Sequence, residues 1–150
     1  MKMLKRALSI LALGFAAVVG TMPAALAIPL PIGGPWVVLD ENMKPGDFFS
    51  GSWTINCPTS HCKFWITDLF VVSDQFEIYD FGQLIATTPK VPDWNDRGIP
   101  DPFTSPPWTN NPDVAWASGD FSHLLVYLST GVHEITIRDI HIPLQAIGGP

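Results

Sequence analysis

Between residues 123 and 138 the chain alternates apolar and polar positions more regularly than elsewhere. Leu124, Val126 and Leu128 alternate with His123, Leu125 and Tyr127. After Ser129-Thr130-Gly131, Ile135 and Ile137 alternate with Glu134, Thr136 and Arg138. A two-residue period marks a half-buried strand, and the short glycine-bearing gap predicts a β-hairpin. A second hairpin is predicted upstream. Phe76 and Ile78 face one way in residues 75–79, while Glu77 and Tyr79 face the other. Asp80-Phe81-Gly82 then turns the chain into residues 83–88, where Leu84 and Ala86 share a face. Gly82 takes the position that needs positive φ. Further runs rich in β-formers cover residues 36–39, 51–56 and 63–72. The last is apolar on both faces (Phe64, Ile66 and Phe70 against Trp65, Leu69 and Val71), which predicts a central strand covered from both sides.

Beyond the N-terminal region no stretch keeps apolar residues at helical spacing over three turns. Fifteen prolines and twelve glycines interrupt the chain. Roughly six or seven short strands without crossover helices predict an all-β fold, an antiparallel β-sandwich or jelly roll. Residues 89–113 form a long, proline-rich loop between the hairpins. Asn111-Pro112-Asp113 supplies a cap, a proline at the first helical position and an acid in the first turn. A short helical turn over residues 114–118, ended by Gly119, follows.

The N-terminus has a different texture. Lys2, Lys5 and Arg6 precede an apolar run over residues 7–20, then Pro23 and Ala25-Leu26-Ala27. A basic segment, a hydrophobic segment and a small-x-small site in that order predict a signal peptide over residues 1–27. The run is shorter than the roughly 20 apolar residues of a membrane helix, so no integral span is expected after cleavage. Residues 28–150 are then a single domain, secreted or periplasmic. Its fourteen acidic residues stand against five basic ones (Lys44, Lys63, Lys90, Arg97 and Arg138), a formal charge of −9. That surface repels phosphate backbones, which argues against nucleic acid and anionic membranes as partners.

Composition also bears on the two cysteines. Cys57 and Cys62, with four residues between them in Cys57-Pro58-Thr59-Ser60-His61-Cys62, predict a disulfide across a tight loop in an exported chain. A Cys-His-Cys metal site through His61 and a reactive thiol pair are the alternatives, although a structural zinc site wants four ligands and a redox pair has two intervening residues.

Candidate chemistry gathers in the long loop. Asp93, Asn95 and Asp96 place three oxygen donors beside Gly98, chemistry that a hard cation such as calcium uses on a sharp turn. Arg97 at the fifth position and Thr104 at the closing position depart from a calcium-binding loop, so a solvated acidic turn is the competing account. No other cofactor is expected. Trp94, Trp108 and Trp116 sit in or beside this loop. Exposed rings next to acids and amides can stack on the apolar face of a sugar, or can fold back to cap the open end of the fold. Catalytic signals are sparse. Ser122, His123, Asp139 and His141 supply triad residue types without a nucleophile elbow. Asp68, Asp74 and Glu77 are acids of the kind glycosidases pair, at separations that sequence does not fix. His133 shares a face with Ile135 and Ile137 and reads as a hydrogen-bonded core histidine.

Three stretches carry a resemblance: residues 74–82 (Asp-Gln-Phe-Glu-Ile-Tyr-Asp-Phe-Gly), residues 111–115 (Asn-Pro-Asp-Val-Ala) and residues 128–137 (Leu-Ser-Thr-Gly-Val-His-Glu-Ile-Thr-Ile). In that order they resemble a group of uncharacterised secreted β-sandwich domains of bacteria and fungi, some bacterial members of which end in a PEP-CTERM sorting tail. The resemblance spans residues 36–142 and implies export and an all-β fold, with no established activity. Asn111 stands where those domains carry an acid, and residues 147–150 read Ile-Gly-Gly-Pro in place of a sorting tail.

The function expected from the sequence is therefore that of an exported, non-catalytic domain. It would bind carbohydrate or a cell-envelope component through residues 89–113 and Trp116. A calcium-stabilised structural envelope protein and a small hydrolase are the alternatives.

Overall fold

Two isoleucines with no solvent exposure, Ile78 and Ile135, mark the centre of the fold. The structure, a computed structural model, describes residues 27–39, 44–59, 61–98 and 107–142. Most of the leader, residues 99–106 of the long loop (with Thr104) and everything after residue 142 lie outside the described residues. Among the described residues seven strands and one helix follow in order: β1 (Ile28–Pro29), β2 (Trp53–Cys57), β3 (Cys62–Thr67), β4 (Gln75–Asp80), β5 (Gln83–Thr87), α1 (Pro112–Ala117), β6 (His123–Leu128) and β7 (Gly131–His141). They form a five-stranded sheet in the order β1-β2-β7-β4-β5 and a two-stranded sheet of β3 and β6. Every pairing is antiparallel except the short one between β1 and β2.

The alternation read from the sequence orients these strands. Trp53 and Ile55 of β2, Phe76 and Ile78 of β4, and Ile135 and Ile137 of β7 turn inward from the large sheet. Phe64 and Ile66 of β3 and Leu128 of β6 turn inward from the small one, and all join one buried cluster. The two sheets therefore share a core, and a period of two decides which residues enter it. A second cluster of Val71, Val72, Trp94, Ala115 and Phe121 lies where the long loop meets α1.

The β4–β5 hairpin forms as expected, with Gly82 at φ 76°. Asn111 caps α1, its side chain accepting from the amides of Asp113 and Val114. Three local expectations are corrected. Residues 36–39 form no strand; Trp36 instead donates its indole Nε1–H to Asp113 Oδ1 at 2.8 Å. The strand begun at residue 62 ends at Thr67 and lies in the smaller sheet, not at the centre of the fold. Its outward apolar residue, Trp65, is 43% exposed, and Leu69 and Val71 beyond the strand belong to the second cluster. Finally, β6 and β7 do not pair with each other. β6 pairs with β3, β7 pairs with β2 and β4, and the turn at Ser129 and Thr130 carries the chain between sheets. Alternation fixes which face of each strand is buried, and a crossing between sheets satisfies it as well as a hairpin does.

Candidate functional site

The outer face of the two-stranded sheet is built by register. Lys63 pairs with Tyr127, Trp65 with Leu125 and Thr67 with His123, and these are the residues out of phase with the buried Phe64 and Ile66. Trp65 and Tyr127 are diagonal neighbours on that face, and Tyr127 is 60% exposed. Two further tryptophans join from outside the sheet. Trp116 of α1 stacks on Trp65 with centroids 4.7 Å apart and planes 20° from parallel. Trp36 meets Trp65 at 6.2 Å and Trp116 at 6.1 Å, while His123 lies 4.8 Å from Trp116. At the far end His61 meets Tyr127 edge to face. The result is a strip of rings along one surface, flanked by Lys63 and Thr67.

Of the tryptophans singled out in the sequence, Trp116 alone belongs to this strip. Trp94 is buried in the second cluster, so neither face of its ring is offered to solvent. Trp108 is exposed, next to Thr109, whose backbone bridges to Phe70. Trp36, Trp65 and Tyr127 were the rings that sequence reading passed over. The signal for Trp65 and Tyr127 was their phase opposite the buried residues of β3 and β6.

The acidic turn is engaged elsewhere. Asp93 Oδ1 lies 2.7 Å from His141 Nε2, and Asn95 Oδ1 accepts from the amide of Asp96. Arg97 pairs with Asp120, tying the loop to the segment after α1. Among the described residues no three His, Cys, Asp or Glu side chains converge as metal ligands. Cys57 and Cys62 are joined in a disulfide.

A second feature lies inside. A cavity of about 1130 Å³ runs along the edge of β3 that β6 leaves unpaired. Lys63, Trp65 and Thr67 on the outer face and Phe64 and Ile66 on the inner face all line it, so it wraps that edge from the aromatic strip into the core. Asp68, Asp74 and Asp139 line it too. Asp139 continues the inward phase of His133, Ile135 and Ile137 along β7. Asp68 is 1% exposed; its Oδ2 accepts from the amides of Ser73 at 2.9 Å and Asp74 at 3.2 Å. Those bonds brace a tight turn in which Phe70 and Ser73 both adopt positive φ. Among the described residues Asp68 Oδ1 has no hydrogen-bond partner. Burial and the neighbouring Asp74 hold Asp68 well above the usual carboxylate range, against the pull of the Ser73, Leu69 and Asp74 amides. Burial and Asp139 push Asp74 up to about 8. Burial lifts Asp139 to about 6, opposed by the amide and ring of His141.

The triad residue types do not assemble. Ser122 Oγ is bonded to Thr88 Oγ1 and the Pro89 carbonyl, His123 Nδ1 faces the Phe121 carbonyl, and His141 faces Asp93. Glu77 lies apart from the other two acids, accepting from Tyr79 Oη and facing Arg138. No helix among the described residues is long and apolar enough to cross a membrane. Comparison of the chain with protein-family models, with curated proteins and with solved structures gave no match.

Proposed function

We propose that the chain is an exported, non-catalytic domain, a β-sandwich of the two sheets, that binds carbohydrate through the aromatic outer face of the β3–β6 sheet. The observation that carries this is the cluster of Trp36, Trp65 and Trp116 in mutual contact, with Tyr127 farther along the same face. Indole and phenol rings offer apolar area with little conformational entropy to lose. The C–H face of a pyranose stacks on such rings while its hydroxyls reach flanking polar groups. Lys63, Thr67 and His123 supply those groups here. Of the site expected from the sequence, residues 89–113 with Trp116, Trp116 belongs to this face and Trp94 is packed inside.

Export is supported by the leader pattern and by the Cys57–Cys62 disulfide, a bond that persists in oxidising compartments. The non-catalytic assignment is supported by hydroxyl and imidazole groups that are occupied by structural partners. Pull-down on insoluble cellulose, chitin and xylan tests the proposal. Retention on at least one, lost in Trp65→Ala and kept in Trp94→Phe, is the expected pattern. Retention that survives Trp65→Ala and Tyr127→Ala together removes this face as the binding surface.

A further inference from the structure

We propose that the cavity along the open edge of β3 is a second binding site, for an apolar chain-like molecule that carries one ammonium group. Its walls come from both sheets and include Phe49, Trp53, Ile55, Phe64, Ile66 and Ile137, all buried side chains that exclude a strongly hydrated ligand. At about 1130 Å³ it exceeds the space a single sugar ring fills, and it suits a flexible hydrocarbon.

The polar groups on its lining define the other end of the ligand. Asp68, Asp74 and Asp139 all line the cavity, and among the described residues none of them forms an ion pair with lysine, arginine or histidine. The basic groups on the lining, Lys44, Lys63 and His61, are exposed. Among the described residues Asp68 Oδ1 is buried without a hydrogen-bond partner, and a buried carboxyl oxygen left so is costly unless a partner reaches it. Among the described residues no three His, Cys, Asp or Glu side chains gather around one point as a bare metal ion would need. A protonated amine on a longer molecule fits. It brings three N–H donors and one positive charge that takes the place of a proton the acids otherwise hold, while its tail takes the apolar wall. This site shares Trp36, Trp65, Lys63 and Thr67 with the aromatic strip and extends from it into the core, whereas Trp116 of the strip takes no part in its lining.

Isothermal titration of the oxidised protein with octylamine, octan-1-ol and octanoate tests the assignment. The three probes share a tail and differ in the charge at its end. Octylamine is expected to bind at least tenfold more tightly than octanol, with octanoate weaker still. Asp74→Asn should erase the preference for the amine while leaving octanol binding in place, and Trp116→Ala should leave the octylamine Kd unchanged. Equal affinity for amine and alcohol, absence of binding by all three, or a preference that survives Asp74→Asn would each overturn the proposal. So would loss of octylamine binding in Trp116→Ala, which would place the amine on the part of the aromatic strip outside the cavity.

Discussion

His133 Nδ1 lies 2.7 Å from Asp80 Oδ2, joining β7 to the end of β4 beneath the turn that links the two sheets. On the other side of the ring, Nε2 lies 3.0 Å from the Ser129 carbonyl. Both neighbours are acceptors, so only the doubly protonated imidazolium satisfies them together. Burial works against that charge, but Asp80 and the Ser129 carbonyl outweigh it and raise the pKa above its ordinary 6.5. A raised folded-state pKa means that the stabilisation is full below pH 6.5 and is lost as pH climbs through the folded value. Asp80→Asn is therefore expected to cost about 2 kcal/mol at pH 5.5 and distinctly less at pH 9, measured by urea unfolding. An equal cost at both values would show that the ring is neutral throughout.

Asp74 gives the opposite kind of variant. With its carboxyl lifted to about 8, the folded protein holds a proton that the unfolded chain has released above its ordinary 3.8. Stability then falls as pH rises through that window. Asp74→Asn removes the cost. It should stabilise the protein at pH 8 by roughly 2 kcal/mol, since each tenfold change in proton affinity is worth about 1.4 kcal/mol and solvent reaching a half-buried group reduces the total. At pH 4 it should change little. A destabilised variant at pH 8 would contradict this.

Core and surface separate cleanly in two substitutions. Ile135 has no exposed area and sits among residues of the large sheet, so Ile135→Ala should lose about 2–5 kcal/mol through the cavity it leaves. Trp65 is largely outward, and Trp65→Ala should lose about 1 kcal/mol from its ring contacts. Denaturant midpoints check both. Comparable losses would mean that Trp65 is a core residue.

The Cys57–Cys62 bridge joins the end of β2 to the start of β3, and thus one sheet to the other. Closing so short a loop restricts the unfolded chain modestly. Cys57→Ser with Cys62→Ser should cost about 2 kcal/mol and leave the fold in place by circular dichroism. A variant that fails to fold would assign the bridge a larger role.

Much of the strand pattern was legible because a period of two is written directly into residues such as Phe76, Ile78, Ile135 and Ile137. The cap at Asn111 was legible for a similar reason: its signal is local. Partner choice was not. β6 and β7 lie next to each other in sequence and carry matching alternation, yet they belong to different sheets, and nothing within either strand encodes which edge it joins. The two-faced hydrophobicity of residues 63–72 was misleading for a related reason. An apolar outer face arises from a second layer or from an exposed ring surface, and sequence does not distinguish them. Trp94 illustrates the same limit, since a tryptophan in a long loop is buried or displayed according to contacts with Val72 and Phe121 far away along the chain. Asp139 was within reach, because it continues the inward phase of Ile135 and Ile137.

The indole N–H signals of the six tryptophans, followed by two-dimensional NMR during titration with cello-, chito- and xylo-oligosaccharides, test the central claim most directly. Shifts are predicted at Trp65, Trp116 and Trp36, with Trp53 and Trp94 unmoved. Shifts confined to Trp108 and Trp94, or none with any of the sugars, would contradict it.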